Sequence, residues 1–207
     1  MPTDSGDAVD IKLYECPGYG DEIDNNQCLE LLKKAILNNH KTWKSLDAQS
    51  MTNAEFLASD ERIHCIFYLI SPSQLKSIDK QFLAMLGPLA PIIPIIAKAD
   101  AMTNDEKDAF VSVVKNEIDE ISKKMRSECV YNFMGDDVGM NSKQPNVFAV
   151  VCDKSGERAY PWGSLSIADP ATSDFHLLRS LLFEQGLYSP LAIYADRGFV
   201  ILTHVLF

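Results

Sequence analysis

Three short stretches of the chain carry residue types whose chemistry is more specific than packing. Glu15-Cys16-Pro17-Gly18-Tyr19-Gly20-Asp21 follows the alternating run Ile11 to Tyr14, and Ala97-Lys98-Ala99-Asp100 closes the apolar run that starts at Ile92. The third, Cys152 to Gly163, follows Val147 to Val151 and ends Arg158-Ala159-Tyr160-Pro161-Trp162-Gly163. A carboxylate such as Asp100 can accept two hydrogen bonds from the amide and amino groups of guanine, while the stem of Lys98 covers the flat face of the base. Adenine offers that carboxylate the wrong donor pattern. A carboxylate at a strand end before Pro-Gly, as at Glu15, suits a metal-bound water and a loop that senses a terminal phosphate. Each stretch also has a plainer reading. The AKAD tetrapeptide can be a solvated turn and ECPGYGD a glycine-rich turn. YPWG can be an aromatic corner or an interface anchor, since Trp is enriched at binding hot spots.

These loops act together only if strands deliver them to one edge. Ile11 to Tyr14 reads as a strand, and Leu29, Leu32, Ile36 and Trp43 recur at helical spacing, which predicts a helix over roughly 26–46. Ile63 to Ile70 is a continuous apolar run, the pattern of a strand buried on both faces. Leu75, Ile78, Phe82 and Leu86 then line one face of a helix. Ile92 to Ala97 is a second buried strand, with Pro94 counting against it. Thr103-Asn104-Asp105-Glu106 has the capping-box pattern, and Phe110, Val113, Val114, Ile118, Ile121 and Met125 give the helix behind it an apolar face. Residues 128–144, with Asp136 and Asp137, read as a solvated surface segment; Val147 to Val151 is a further buried strand and Asp174 to Gln185 a helix. The fold class is therefore α/β, one domain with a mainly parallel sheet covered on both sides. Ligands of such sheets sit beyond the carboxyl ends of the strands, where all three loops fall.

Composition narrows the function. The chain has 207 residues, 46% of them hydrophobic, enough for one sizeable core. Its net charge of −10 argues against nucleic acid as a partner, which calls for clustered Lys and Arg, and against adsorption to anionic membrane. The five cysteines, at 16, 28, 65, 129 and 152, form no CxxC pair, so zinc is not expected and the thiols read as reduced. Met1 to Asp10 resembles no export signal, and no apolar run approaches the ~18 residues of a membrane span. A soluble, cytoplasmic protein is expected. No GxGxxG follows any strand, and His40, His64, His176 and His204 have no nucleophile elbow nearby, so neither a Rossmann dehydrogenase nor a hydrolase triad is supported.

In this order and spacing the three loops resemble the septin family of GTPases. The likeness runs through Asp60-Glu61-Arg62-Ile63-His64-Cys65, Leu75-Lys76-Ser77-Ile78-Asp79, Phe148-Ala149-Val150-Val151, the RxYPWG run and Asp174-Phe175-His176-Leu177-Leu178-Arg179. It covers residues 11–188 as a partial GTPase domain, with 1–10 a polar segment before it and 189–207 a divergent tail. The resemblance implies a three-layer P-loop-GTPase-like sheet and GTP or GDP as ligand. Asp100 would read the guanine edge, Lys98 would pack on the base, and Arg158 would approach base or ribose. The backbone of Val151 and Cys152 would lie close to guanine. Gly18 would meet the terminal phosphate, and Glu15 stands at the metal-associated position. Trp162, beside Arg158, would belong to a nucleotide-flanking dimer face shared with other septin-like subunits. Location in the cytoplasmic cytoskeleton, at the cortex or division site, follows from the same likeness.

The departures shape the expected activity. Septin domains begin with a strand and a GxxxxGK[ST] loop that holds the phosphates, and this sequence contains no such motif. Glu15 is one methylene longer than the family's Asp, Cys16 stands for Thr, and Cys152 adds a side chain where the family has Gly, which makes Mg²⁺ doubtful and GTP binding weak or lost. Ser71-Pro72-Ser73-Gln74 is shorter than the family's loop. Gly198 to Phe207 departs from the family's basic terminal helix and reads as an added edge strand. A non-catalytic structural subunit and an incomplete gene product are the alternatives. With the first strand absent, the centre of the sheet is expected to stand open along Ile63 to Ile70.

Overall fold

The computed structural model describes residues 10–16, 24–46, 51–52, 55, 59–126, 130, 147–161, 163–183 and 198–204, of which 10, 11, 180–183 and 198–204 are described by backbone alone. Strands β1 (Asp10–Cys16), β2 (Cys65–Ile70), β3 (Ile92–Ala97), β4 (Phe148–Val150) and β7 (Gly198–His204) form one sheet in the order β1-β7-β2-β3-β4. Every pairing in it is parallel. Helices α1 (Asn26–Ser45), α2 (Ser77–Leu86), α3 (Asn104–Met125) and α4 (Phe175–Phe183) alternate with the strands. An antiparallel hairpin of β5 (Glu157–Tyr160) and β6 (Gly163–Ser166) stands apart from the large sheet. The stretch that reads as an irregular loop in the sequence thus contains a hairpin, whose strands are too short and too polar to give a period-two signal.

One core joins α1, α2 and α3 to a single face of the sheet. Leu29 and Ile36 of α1, Phe82 and Leu86 of α2, and Val114 and Ile118 of α3 meet Ile66, Tyr68 and Ile70 of β2. The Tyr68 and Phe82 rings stack with centroids 4.2 Å apart. Successive strand residues face opposite ways, so Cys65, Ile93, Ile95 and Phe148, also buried, belong to the other face. The capping box at the head of α3 forms as expected: Glu106 N–H donates to Thr103 Oγ1 at 3.3 Å, and Thr103 N–H donates to Glu106 Oε2 at 2.8 Å. Pro94 sits inside β3 opposite Tyr68, but β4 pairs only with Ile95 to Ala97. The ladder is one-sided at Pro94, and a residue without an N–H is accommodated there.

The place of β7 corrects two expectations. Residues 198–204 are not an edge strand; they lie inside the sheet, paired along Asp10–Cys16 on one side and with Cys65, Ile66 and Phe67 on the other. The centre of the sheet is therefore filled by the chain itself, and β2 has a neighbour on each side with Cys65, Ile66, Tyr68 and Ile70 buried. The physical reason is legible in hindsight: Phe199-Val200-Ile201-Leu202 is an unbroken apolar run of the kind that central parallel strands carry. The edge position falls instead to β1, where Lys12, Leu13, Tyr14 and Glu15 are all exposed.

Candidate functional site

Strand β3 ends at Ala97, and the chain then turns sharply. Lys98 takes φ 52° and ψ 45°, the left-handed region that costs a non-glycine residue about 1–2 kcal/mol. That single residue reverses the course of the backbone into a 3-10 turn over Ala99–Ala101. Ala99 is driven into the core at 3% exposure, and the Asp100 side chain is likewise only 3% exposed, while Lys98 remains exposed. A side chain that carries charge is buried this deeply only with a partner. Its partner is Arg158 of β5: Nε lies 3.3 Å from Asp100 Oδ2, and Nη1 donates to Oδ1 at 3.5 Å. The Arg158 guanidinium also sits 5.6 Å from the centre of the Tyr160 ring.

Adjacent strand β4 supplies the floor. Val151, 1% exposed, follows its last residue, and its N–H donates to Ser173 Oγ at 3.0 Å. Ala149 N–H donates to Asp174 Oδ2 at 2.8 Å, and Asp174 N–H returns to the Ala149 carbonyl at 2.8 Å. β4 is the edge of the sheet, so these two side chains at the head of α4 take the place of a neighbouring strand. Cys152 comes next, exposed as a residue but with its sulfur partly shielded from water, which chiefly pushes the thiol up; Arg158 works against that shift and Asp100 adds to it. From there Asp153 Oδ1 accepts the Ser155 N–H at 2.9 Å, and Gly156 at φ 81° supplies the left-handed step into β5. The hydrogen bonds of Ser155 hold the Asp153 carboxyl below its usual range.

Lys98, Asp100, Val151, Cys152 and Arg158 are thus brought to one corner, the carboxyl ends of β3 and β4 with the hairpin over them. Glu15 is not among them. It stands exposed near the end of β1, three strand positions from β3, which at the usual spacing is about 14 Å. Gly18 and Trp162 lie outside the described residues.

A protein-family model described as Septin matches residues 2–191 of this chain. The chain belongs to the septin family. It is 30% identical over 210 residues to cell division control protein 11 of Saccharomyces cerevisiae, a match covering 91% of this chain and 49% of that protein. It is 32% identical over 194 residues to cell division control protein 10 of Candida albicans, covering 84% of this septin and 52% of the relative. Neuronal-specific septin-3 of Bos taurus is 30% identical over 197 residues, with 89% and 55% covered. This septin chain therefore spans about half the length of the curated relatives it matches. Among solved structures, the septin GTPase domain of Chlamydomonas reinhardtii superposes with a TM-score of 0.66 at 25% identity, covering 83% of this chain and 66% of that one. Cdc11 of Saccharomyces cerevisiae has the same fold at a TM-score of 0.50 and 23% identity, with 91% and 94% covered. The α/β architecture with a parallel core is that of the septin GTPase domain.

No group of three or more His, Cys, Asp or Glu among the septin's described residues could hold a metal ion, and Glu15 stands exposed on the edge strand. Among the described residues no helix is long and apolar enough to cross a membrane. Ser173 is a residue whose part the sequence reading missed. A serine before a helix signals a cap, and only the fold shows that it also holds the backbone beside the candidate base site.

Proposed function

We propose that this septin chain is a guanine-recognition module with little grip on phosphate. The observation that carries the reading is the buried Asp100 carboxylate presented by the left-handed Lys98 at the end of β3. Two acceptor oxygens shielded from water discriminate donors strongly, because a mismatched group there forfeits a hydrogen bond worth about 1–3 kcal/mol. Guanine's amide and amino N–H groups suit them, with the Lys98 stem over the base and the Val151–Cys152 backbone beside it. Arg158 would release one or both oxygens and move toward base or ribose. Gly18 and Glu15 are assigned to the phosphate side by family likeness alone, and the absence of a GxxxxGK[ST] motif from the sequence removes the main source of triphosphate affinity. Hydrolysis by this chain is accordingly expected to be weak or lost.

The test is a titration series by calorimetry with guanosine, GMP, GDP, GTP and their adenine counterparts. Guanine compounds should bind with affinities within a few-fold of one another, and adenine compounds should bind more weakly. GTP binding at micromolar affinity, far tighter than guanosine, would overturn the reading.

A second role rests on the hairpin. β5 and β6 form their own two-stranded sheet with Glu157, Ala159, Gly163, Ser164 and Ser166 exposed, and Trp162 directly precedes Gly163 in the sequence. By family likeness this face would pack against another septin-like subunit, in the cytoplasmic cytoskeleton. Light scattering of the chain and of Trp162→Ala decides it: purely monomeric profiles for both would count against a subunit role.

A further inference from the structure

The pair Cys16 and Cys28 plays no part in the site above. Cys16 is the last residue of β1, and Cys28 lies in the first turn of α1. Their sulfurs are 3.9 Å apart, and both residues are partly exposed rather than sealed in the core. The remaining described thiols differ. Cys65 is 1% exposed with its thiol pushed far up by burial, and Cys152 is exposed beside Arg158 and Asp100. A disulfide needs sulfurs about 2.05 Å apart, so bond formation asks for a closure of less than 2 Å, within reach of side-chain rotation.

We propose that Cys16 and Cys28 are a redox modification site that closes to a disulfide under an oxidised thiol such as glutathione disulfide. One thiolate attacks a sulfur of glutathione disulfide and expels a glutathione thiolate, leaving a mixed disulfide on the protein. The neighbouring thiol gives up its proton to solvent, attacks the protein-bound sulfur and expels the second glutathione thiolate. Two protein S–H groups become one S–S bond, and glutathione disulfide is reduced to two molecules of glutathione, with two electrons transferred to it. The product ties the end of β1 to the start of α1 and fixes the backbone from which residues 17 onward emerge.

The Cys16 thiol is pushed up to about 11, first by burial and then by the charge and hydrogen bond of Cys28, so little of it is thiolate. This device stands independently of nucleotide binding, and its test does not use nucleotide. The intact chain is incubated with glutathione disulfide at mildly alkaline pH, blocked with an alkylating reagent, digested without reduction and mapped by mass spectrometry, in buffer and in urea. In buffer the Cys16 and Cys28 peptides should be recovered joined, in yield several-fold above that in urea, where five cysteines compete. Cys28→Ser should leave Cys16 singly glutathionylated or free. Recovery of the two peptides separately while Cys152 is glutathionylated, or a yield equal in buffer and urea, would overturn the proposal.

Discussion

The guanidinium of Arg158 lies against both carboxylate oxygens of Asp100, at 3.3 Å and 3.5 Å, although the two residues are 58 positions apart. The arginine thus occupies the acceptors that a guanine edge would use. Replacing Asp100 by Asn turns one acceptor into a donor facing guanine's own donors. Asp100→Asn should erase the preference for guanosine over adenosine, a loss of about ten- to hundredfold, read by calorimetric competition. An unchanged preference would place base recognition elsewhere.

The same pair has a cost in stability. Arg158→Ala leaves a carboxylate at 3% exposure without its counter-ion, and the partial exposure of the arginine keeps the loss small, about 1 kcal/mol. Arg158→Ala combined with Asp100→Ala should be less harmful than the two losses added. Urea denaturation across the double-mutant cycle gives the coupling directly.

β7 makes the sheet continuous. Ending the chain before Gly198 removes the strand that pairs with β1 on one side and β2 on the other. Cooperative thermal unfolding should be lost, or the midpoint should fall well beyond the about 2–4 °C that 1 kcal/mol produces in a domain of this size. Amide exchange should also lose protection at Cys65 to Phe67. A truncated chain that melts like the full one would show that β7 contributes little.

Ser173→Ala strips the Val151 N–H of its acceptor in a setting where both residues are 1% exposed. A loss of about 1–3 kcal/mol is expected. Ser173→Thr keeps the hydroxyl and should recover part of it, measured by denaturant midpoint. Guanosine binding should weaken with Ser173→Ala even in the fully folded fraction, because the backbone beside the base site is no longer held.

Asp60 makes acid stability predictable. Burial alone would raise its carboxyl, but the Arg62 side chain at 2.6 Å and 2.9 Å, His64 at 3.2 Å and the Arg62 N–H together hold it well below its ordinary value of 3.8. The unfolded chain therefore takes up the proton first as pH falls. The stabilisation is complete above pH 3.8 and drains away below it, toward the folded value. Asp60→Asn should lower stability at neutral pH and flatten the curve below about pH 4. Denaturation at a series of pH values checks both effects.

Taken alone, the sequence determined the local elements and the chemistry available. Helical spacing placed α1 nearly to its ends, because an apolar face repeating every three or four residues is a local property. In α3 it found Phe110, Val114, Ile118 and Ile121, while Val113 and Met125, expected on the same face, are exposed. Unbroken apolar runs located β2, β3 and β4, and Ala97-Lys98-Ala99-Asp100 offered a carboxylate of the type that could read a base. Only the tertiary structure decided which strands are neighbours. It carried the apolar run at 198–204 to the middle of the sheet, for a parallel partner is chosen by burial on both faces and not by nearness in sequence. It likewise set Arg158 on Asp100, Ser173 on Val151 and Cys16 beside Cys28. Those meetings depend on crossover geometry, which no local pattern of residues encodes.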